Sequence, residues 1–335
     1  MSPSWPLIAL KRLANLVLVL VAMTFVIFVL QQVAPGDPAR AALGFTASKA
    51  SIDAERKALE LDQPLLVRFG HYLLRLANGD LGVSAHTHNP VAADIAHFAP
   101  ASVELMGAAL ALGVCLGVAV ALIPILYPRF RFLRWILIAV ASAPIFLTAL
   151  LLSLVFWYWL GWLPGGGRVT PDVYQPGPTH LMVLDGLLTG HLGLSWNALQ
   201  HLALPALTLA LPVAVSIGRT LESSLTVVLR QGYIRTARAK GLPDAVILRR
   251  HALRNAAGAP LSMFGLQFAL MFTNLLIVEL IFSWPGLGYY LVQSFAASDL
   301  PAVLGVALVF AVAYLLLTSL IEAAQGWLDP RLRRR

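Results

Sequence analysis

Three groupings of residues in this chain have types and spacing that could do chemistry. His86 and His88, two apart in SAHTHNP, carry side chains that ligate transition metals. Gly165, Gly166 and Gly167 form a run of the kind that can bring backbone N–H groups up to a phosphate. Glu104, Glu279 and Glu322 lie within or beside apolar runs, where an ionisable group is by default a functional candidate. Each grouping also has a plainer reading. Two histidines on an exposed loop with no nearby Cys or carboxylate read as solvated, so no metal site is expected. The glycine run follows Leu-Pro and opens no helix, so it reads as a flexible turn. Glu279 and Glu104, near the outer ends of their runs, could reach water in a structural or gating role, and Glu322 reads as a snorkelling or partner-paired group. No Ser/His/Asp, Cys/His or paired-carboxylate constellation stands where catalysis could use it. A P-loop is absent too, since no Gly-Lys pair occurs anywhere in the sequence.

The elements that must position these residues are membrane spans. The chain is 59% hydrophobic and 12% charged, with a mean hydropathy of +0.77, more apolar surface than a soluble fold can hide. About 20 apolar residues cross about 30 Å of hydrocarbon. That length picks out six spans: 13–30, 102–123 stopped by Pro124, 133–160 bent at Pro144, 198–218 with Pro205 and Pro212 inside it, 261–282 and 301–324. The first reads as a retained span and not a signal peptide, because QQVAPGDP offers no small-residue cleavage site. The organisation is a cytoplasmic N-terminus and first helix over 1–34, a water-exposed insert of amphipathic patches over 35–99, a five-helix domain over 100–328, and a basic tail over 329–335. The Gly/Pro-rich stretch from LPGGGR to HLGLSWN reads as an outer loop with one short interfacial helix. Trp157, Trp159 and Trp162 suit an interfacial aromatic belt, and the single Cys115 suits packing only.

Charge fixes the orientation. The formal net charge is +8, yet the cations sit between apolar runs and not on one face of a soluble domain, which argues against nucleic acid. Lys11, Arg12, Arg129, Arg131, Arg134, the cations from Arg219 to Arg254 and the four terminal arginines all fall on one side of a six-span chain. By the positive-inside rule that side, with both termini, is cytoplasmic.

The most concentrated charge is in YIRTARAKGLPDAVILRRHALRN, residues 233–255. Arg235, Arg238, Lys240, Arg249, Arg250 and Arg254 meet one acid, Asp244. The first half suits a helix ending at Gly241, where a positive φ would exclude a side chain. Pro243 and Asp244 suit the start of a second helix, with Ala245, Leu248 and Ala252 on one face and Arg250 with Arg254 on another. Such a hairpin could enforce topology and bind anionic headgroups, or it could dock a soluble partner.

This stretch resembles the EAA loop of ABC importer permeases, in the form it takes in the dipeptide/oligopeptide/nickel family. Further matches are similar to that family in order along the chain: APGDP (34–38), LDQPLLVRF (61–69), GDLGVS (79–84), LPALTLALP (204–212), ELIFSWPGLG (279–288) and LDPR (328–331). LPGGGR resembles the dipeptide-permease B-type subunit. Three departures stand out: Arg235-Thr236 where the motif's name has Glu-Ala, LELD at 59–62 for Leu-Gly-Leu-Asp, and SLIEAAQGW before the terminal DPR.

The resemblance implies an all-α, six-span type I importer fold and a non-catalytic permease for di- or oligopeptides. Within the cytoplasmic segment 219–260, it implies that Arg235, Ala237, Arg238, Lys240, Gly241, Asp244, Arg249, Arg250, His251 and Arg254 couple to an ATPase. Glu279, Trp284, Pro285 and Gly286 are the candidate outer gate. The implied partners are a second homologous permease subunit, two ATPase subunits carrying ATP and Mg, an extracytoplasmic peptide-binding protein and the lipid bilayer of a bacterial inner membrane. Nickel or metal chelates, glutathione and antimicrobial peptides are the alternative cargoes. A self-contained secondary transporter or channel is the alternative of another class, and would need paired intramembrane ion sites in place of the hairpin.

Overall fold

Apolar runs of this length must satisfy their own backbone in lipid, and helices do so. The computed structural model describes residues 14, 17–26, 28–29, 48–58, 61–130, 132, 135, 138–139, 142–175 and 177–328. Lys11, Arg12, Arg131, Arg134, the APGDP stretch, part of LELD, the side chain of Glu322 and the basic tail lie outside those residues. Among the described residues the regular structure is helical, joined by loops, with one isolated bridge between Val83 and Pro90.

In chain order the helices are α1 (Val17–Val26), α2 (Lys49–Ala58), α3 (Leu65–Ala77), α4 (Val91–Leu126), α5 (Ile145–Trp159), α6 (Met182–Leu188), α7 (Leu192–Val228), α8 (Gly232–Ala239), α9 (residues 244–256), α10 (Gly258–Ile281), α11 (Leu287–Ala296) and α12 (Leu300–Leu328). Of these, α4, α7, α10 and α12 are long and apolar enough to cross a bilayer. The shorter apolar helices α1 and α5 stand where the first and third spans are expected.

Two boundaries differ from expectation, and both turn on proline. The third span does not bend at Pro144 but breaks there. Pro144 holds an extended ψ of 143° and caps a new helix at Ile145, because its ring and missing N–H oppose a continuous turn. The fourth span, expected over 198–218, runs over the 37 residues of α7 with Pro205 and Pro212 inside it. Its central stretch is 72% buried, against 22 to 28% for the other three long helices. Two internal prolines therefore do not keep α7 from being the most buried of the four long helices. Gln267 of α10 donates to the Pro212 carbonyl at 2.9 Å and to Ser216 Oγ, a cross-helix bond of the kind that steadies a proline-containing span.

The chain divides into two units. The first comprises residues 1–99 and 289–315. Its core gathers Phe28, Phe69, Tyr72 and Leu304, with Phe25 and Phe69 edge-to-face at 5.0 Å. Burial pushes the Tyr72 phenol up to about 12, so it stays neutral in that apolar setting.

The second unit comprises residues 100–288 and 316–335, with α7 packed on α10 and α6. Lipid tails are as apolar as leucine, so helices here associate through close van der Waals fit. The sequence Gly113-Val-Cys-Leu-Gly117 on α4 supplies it. A Cβ on Gly117 would lie 2.8 Å from the Ala214 carbonyl oxygen, and one on Gly218 would lie 3.0 Å from that of Gly117. No side chain fits between α4 and α7 at this crossing.

Candidate functional site

The first site is the hairpin formed by α8 and α9. Ile234 and Ala237 of α8 are buried against Ile247 of α9. Leu248, Ala252 and Ala256 are buried on Leu221 and Leu225 of α7 and Ala121 of α4. Between the helices, Gly241 has a φ of +78°, the left-handed conformation that favours glycine. Its N–H donates to the Arg238 carbonyl at 2.9 Å and the Leu242 N–H donates to that of Ala237 at 3.3 Å, closing α8. Pro243 then starts α9 with a ψ of 143°. Asn255 Nδ2 donates to Tyr233 Oη at 3.0 Å and ties the two helices together.

The face of α9 differs from a regular 3.6-residue period. Residues Ile247–Ala252 form a π-helical turn, whose i→i+5 bonds widen it. The buried set is accordingly Ile247, Leu248, Ala252 and Ala256, and Ala245 is exposed. All six cations of the hairpin are exposed, His251 is half-buried, and Asp244 pairs with Arg238 at 3.1 Å. An ion pair this open is worth under about 1 kcal/mol, so the loop presents its positive charge to whatever lies beyond it.

The second site surrounds the SWPGLG turn. Ser102 Oγ donates to Glu279 Oε1 at 2.6 Å and accepts the Leu287 N–H at 2.7 Å. Trp284 is buried, with its Nε1 donating to the Ala101 carbonyl at 2.9 Å. Gly286 lies so close over the Glu279 carboxylate that a Cβ there would be 2.2 Å from Oε1. Pro285 is exposed. Glu279 therefore does not reach water, contrary to its expected reading, because the turn folds back over it.

Beside this turn, Arg168 pairs with Glu104 at 2.5 Å, with side-chain exposures of only 9% and 8%. Arg168 also donates to the His180 carbonyl at 2.9 Å, and its guanidinium lies 5.7 Å from the centre of the Trp284 ring. The other Glu104 oxygen accepts the Val183 N–H at 2.8 Å. The first two glycines of the run are closely packed. A Cβ at Gly166 would lie 2.6 Å from the Phe282 carbonyl oxygen, which accepts the Gly167 N–H at 2.8 Å. His201 of α7 binds the Gly166 carbonyl through Nδ1 at 2.8 Å.

In the first unit, Asp94 accepts hydrogen bonds from Thr87, Asn89 and Tyr290. Burial, the largest cause, raises the Tyr290 phenol far above its ordinary range, so it stays a donor. His86 and His88 are exposed beside this cluster. Among the described residues no group of three or more His, Cys, Asp or Glu could hold a metal ion.

Apolar helices, a cationic hairpin and a hydrogen-bonded SWPGLG turn are features this chain shares with known proteins. Residues 113–334 match the family described as binding-protein-dependent transport system inner membrane component. Residues 7–105 match the N-terminal component of such membrane proteins. This chain belongs to that family. The permease is 38% identical over 331 residues, 97% of this chain and 96% of the relative, to the probable D,D-dipeptide transport system permease protein of Escherichia coli. It is 35% identical over 97% of its length, and 98% of the relative's, to the dipeptide transport system permease protein of Alkalihalophilus pseudofirmus. It is 33% identical to the glutathione transport system permease protein of Salmonella typhimurium, again over 97% of this chain and 98% of the relative. It is a non-catalytic, multi-pass membrane subunit of a binding-protein-dependent transport system.

Of the residues singled out in the sequence, the permease brings the hairpin set together on one helical hairpin and Glu279, Trp284 and Gly286 together in one buried turn. The partners of Glu279 and Glu104, Ser102 and Arg168, carried no sequence signal of their own. The 113–117 glycine spacing did carry one, the small-xxx-small pattern of close-packed spans.

Proposed function

We propose that this permease forms half of the translocation path of an ATP-driven importer of di- or oligopeptides in a bacterial cytoplasmic membrane, with both termini cytoplasmic. A second homologous permease subunit supplies the other half. Two ATPase subunits, which hold ATP and Mg, dock on the hairpin through Arg235, Ala237, Arg238, Lys240, Gly241, Asp244, Arg249, Arg250, His251 and Arg254. An extracytoplasmic binding protein delivers the peptide to the outer face. The observation that carries this reading is the hairpin itself: its apolar side is anchored on α4 and α7 while every cation points away. Charges so arranged steer and register a partner more than they hold it. The permease carries no P-loop, so the energy of transport enters through that partner.

In the same scheme, Glu279, Trp284, Pro285 and Gly286 form the outer gate. The carboxylate pins the turn from beneath and Pro285 faces outward. The named function of relatives at 35 to 38% identity favours peptides, and the glutathione relative keeps that tripeptide as the second reading.

The test is reconstitution of the permease with its partner subunits and binding protein in proteoliposomes. Labelled dipeptide should accumulate only when ATP is supplied on the hairpin side. Uptake by the permease without ATPase subunits would refute the proposal.

A further inference from the structure

The last turns of α7 have two differently occupied sides. Leu221 and Leu225 are buried against Leu248, Ala252 and Ala256 of the hairpin. The opposite side lines an open cavity of about 610 Å³ with Arg219, Glu222, Ser223, Thr226 and Val227, and Trp135 and Ile138 line it as well. That volume lies within the range of about 300–1,000 Å³ for small-ligand sites.

Its chemistry is specific. Arg219 and Glu222 are the only Asp, Glu, Lys or Arg residues on the 37-residue helix, and both face this one cavity. At i, i+3 their Cβ atoms stand about 5–6 Å apart, and an extended dipeptide is at most about 7 Å long. A guanidinium suits a terminal carboxylate and a carboxylate suits a terminal ammonium. Two hydroxyls beside them suit the peptide group between.

Building on the peptide reading above, we propose that this cavity is an inner subsite that holds the two charged termini of a short zwitterionic peptide, with Arg219 on the carboxylate and Glu222 on the ammonium. It sits on the turns of α7 that the hairpin grips from the other side, so a shift of the hairpin moves the subsite with it. Ser223 and Thr226 contribute neutral hydrogen bonds that leave the peptide side chains unread.

The test uses the complete transporter in proteoliposomes. Cys115, the sole native cysteine, is replaced by alanine and Ser223→Cys serves as a reporter, labelled by a charged thiol reagent from the hairpin side. A free dipeptide should slow labelling about tenfold or more, as expected for a charge-assisted contact of about 1.5–3 kcal/mol. N-acetylated or C-amidated dipeptides should protect less, and Glu222→Gln or Arg219→Gln should abolish the distinction for the matching terminus. Four results would overturn the subsite: equal protection by blocked peptides, no protection, protection by anionic lipid or inorganic phosphate alone, or no labelling at all because the second permease subunit covers the cavity. If the parent transporter accumulates no peptide, the peptide reading itself fails. Peptide uptake with unprotected Ser223→Cys defeats the subsite only.

Discussion

Gly241 separates backbone strain from partner contact. Its φ of +78° is the left-handed conformation, which costs a residue with a side chain about 1–2 kcal/mol, a factor of about 5–30 in the population of the turn. A Cβ built there meets nothing within 4 Å. Within the permease alone, Gly241→Ala and Gly241→Trp should therefore destabilise the hairpin by the same modest amount. Gly241→Asn should cost less, since asparagine tolerates that conformation. The open space has a different meaning if an ATPase subunit fills it. Alanine should then weaken co-purification with the ATPase only by the strain, whereas tryptophan should abolish it and leave membrane insertion intact. The assay is thermal stability of the isolated permease for all three variants, followed by affinity capture of the ATPase subunits from membranes. Equal capture by the alanine and tryptophan variants would mean that nothing covers the turn, and the docking argument would fall.

Breaking the Arg168–Glu104 pair with Glu104→Gln should lower stability by about 3–5 kcal/mol, because the guanidinium stays buried without its counter-charge. The double variant Glu104→Gln with Arg168→Met should regain part of the loss in the same thermal measurement, and an additive loss would contradict the pairing. Ser102→Ala removes two hydrogen bonds at the outer turn and should cost about 1–3 kcal/mol, seen as faster amide exchange over 283–288. Gly117→Leu should prevent folding by forcing α4 off α7, whereas Gly107→Leu, on the same helix with open space around it, should yield folded protein on size-exclusion chromatography.

Four of the expected spans, α4, α7, α10 and α12, were legible in sequence because hydrocarbon thickness sets their length, and the hairpin because charge is costly anywhere else in such a chain. The central position of α7 was not. Pro205 and Pro212 weaken a helix read alone, and what steadies it is packing, including Gln267, 55 residues beyond Pro212. The burial of Glu279 was hidden for a similar reason, since the hydroxyl that binds it is 177 residues away. The widened turn over Ile247–Ala252 shifted the buried face by a residue or two, a change that no 3.6-residue period can reveal.

The length of α7 has a mechanical consequence. Near its N-terminal end, Asn197 and His201 hold the loop at Thr170 and Gly166. Near its C-terminal end, Leu221 and Leu225 grip the hairpin. Where Ala214 and Gly218 meet Gly117, the backbones touch with no side chain between them. A rod held this way is a lever whose arms, at 1.5 Å per residue, run about 10 Å from the crossing to the hairpin grip and about 26 Å to the loop. Because the loop arm is the longer, a small push on the hairpin would arrive at that loop in the opposite direction and enlarged more than twofold.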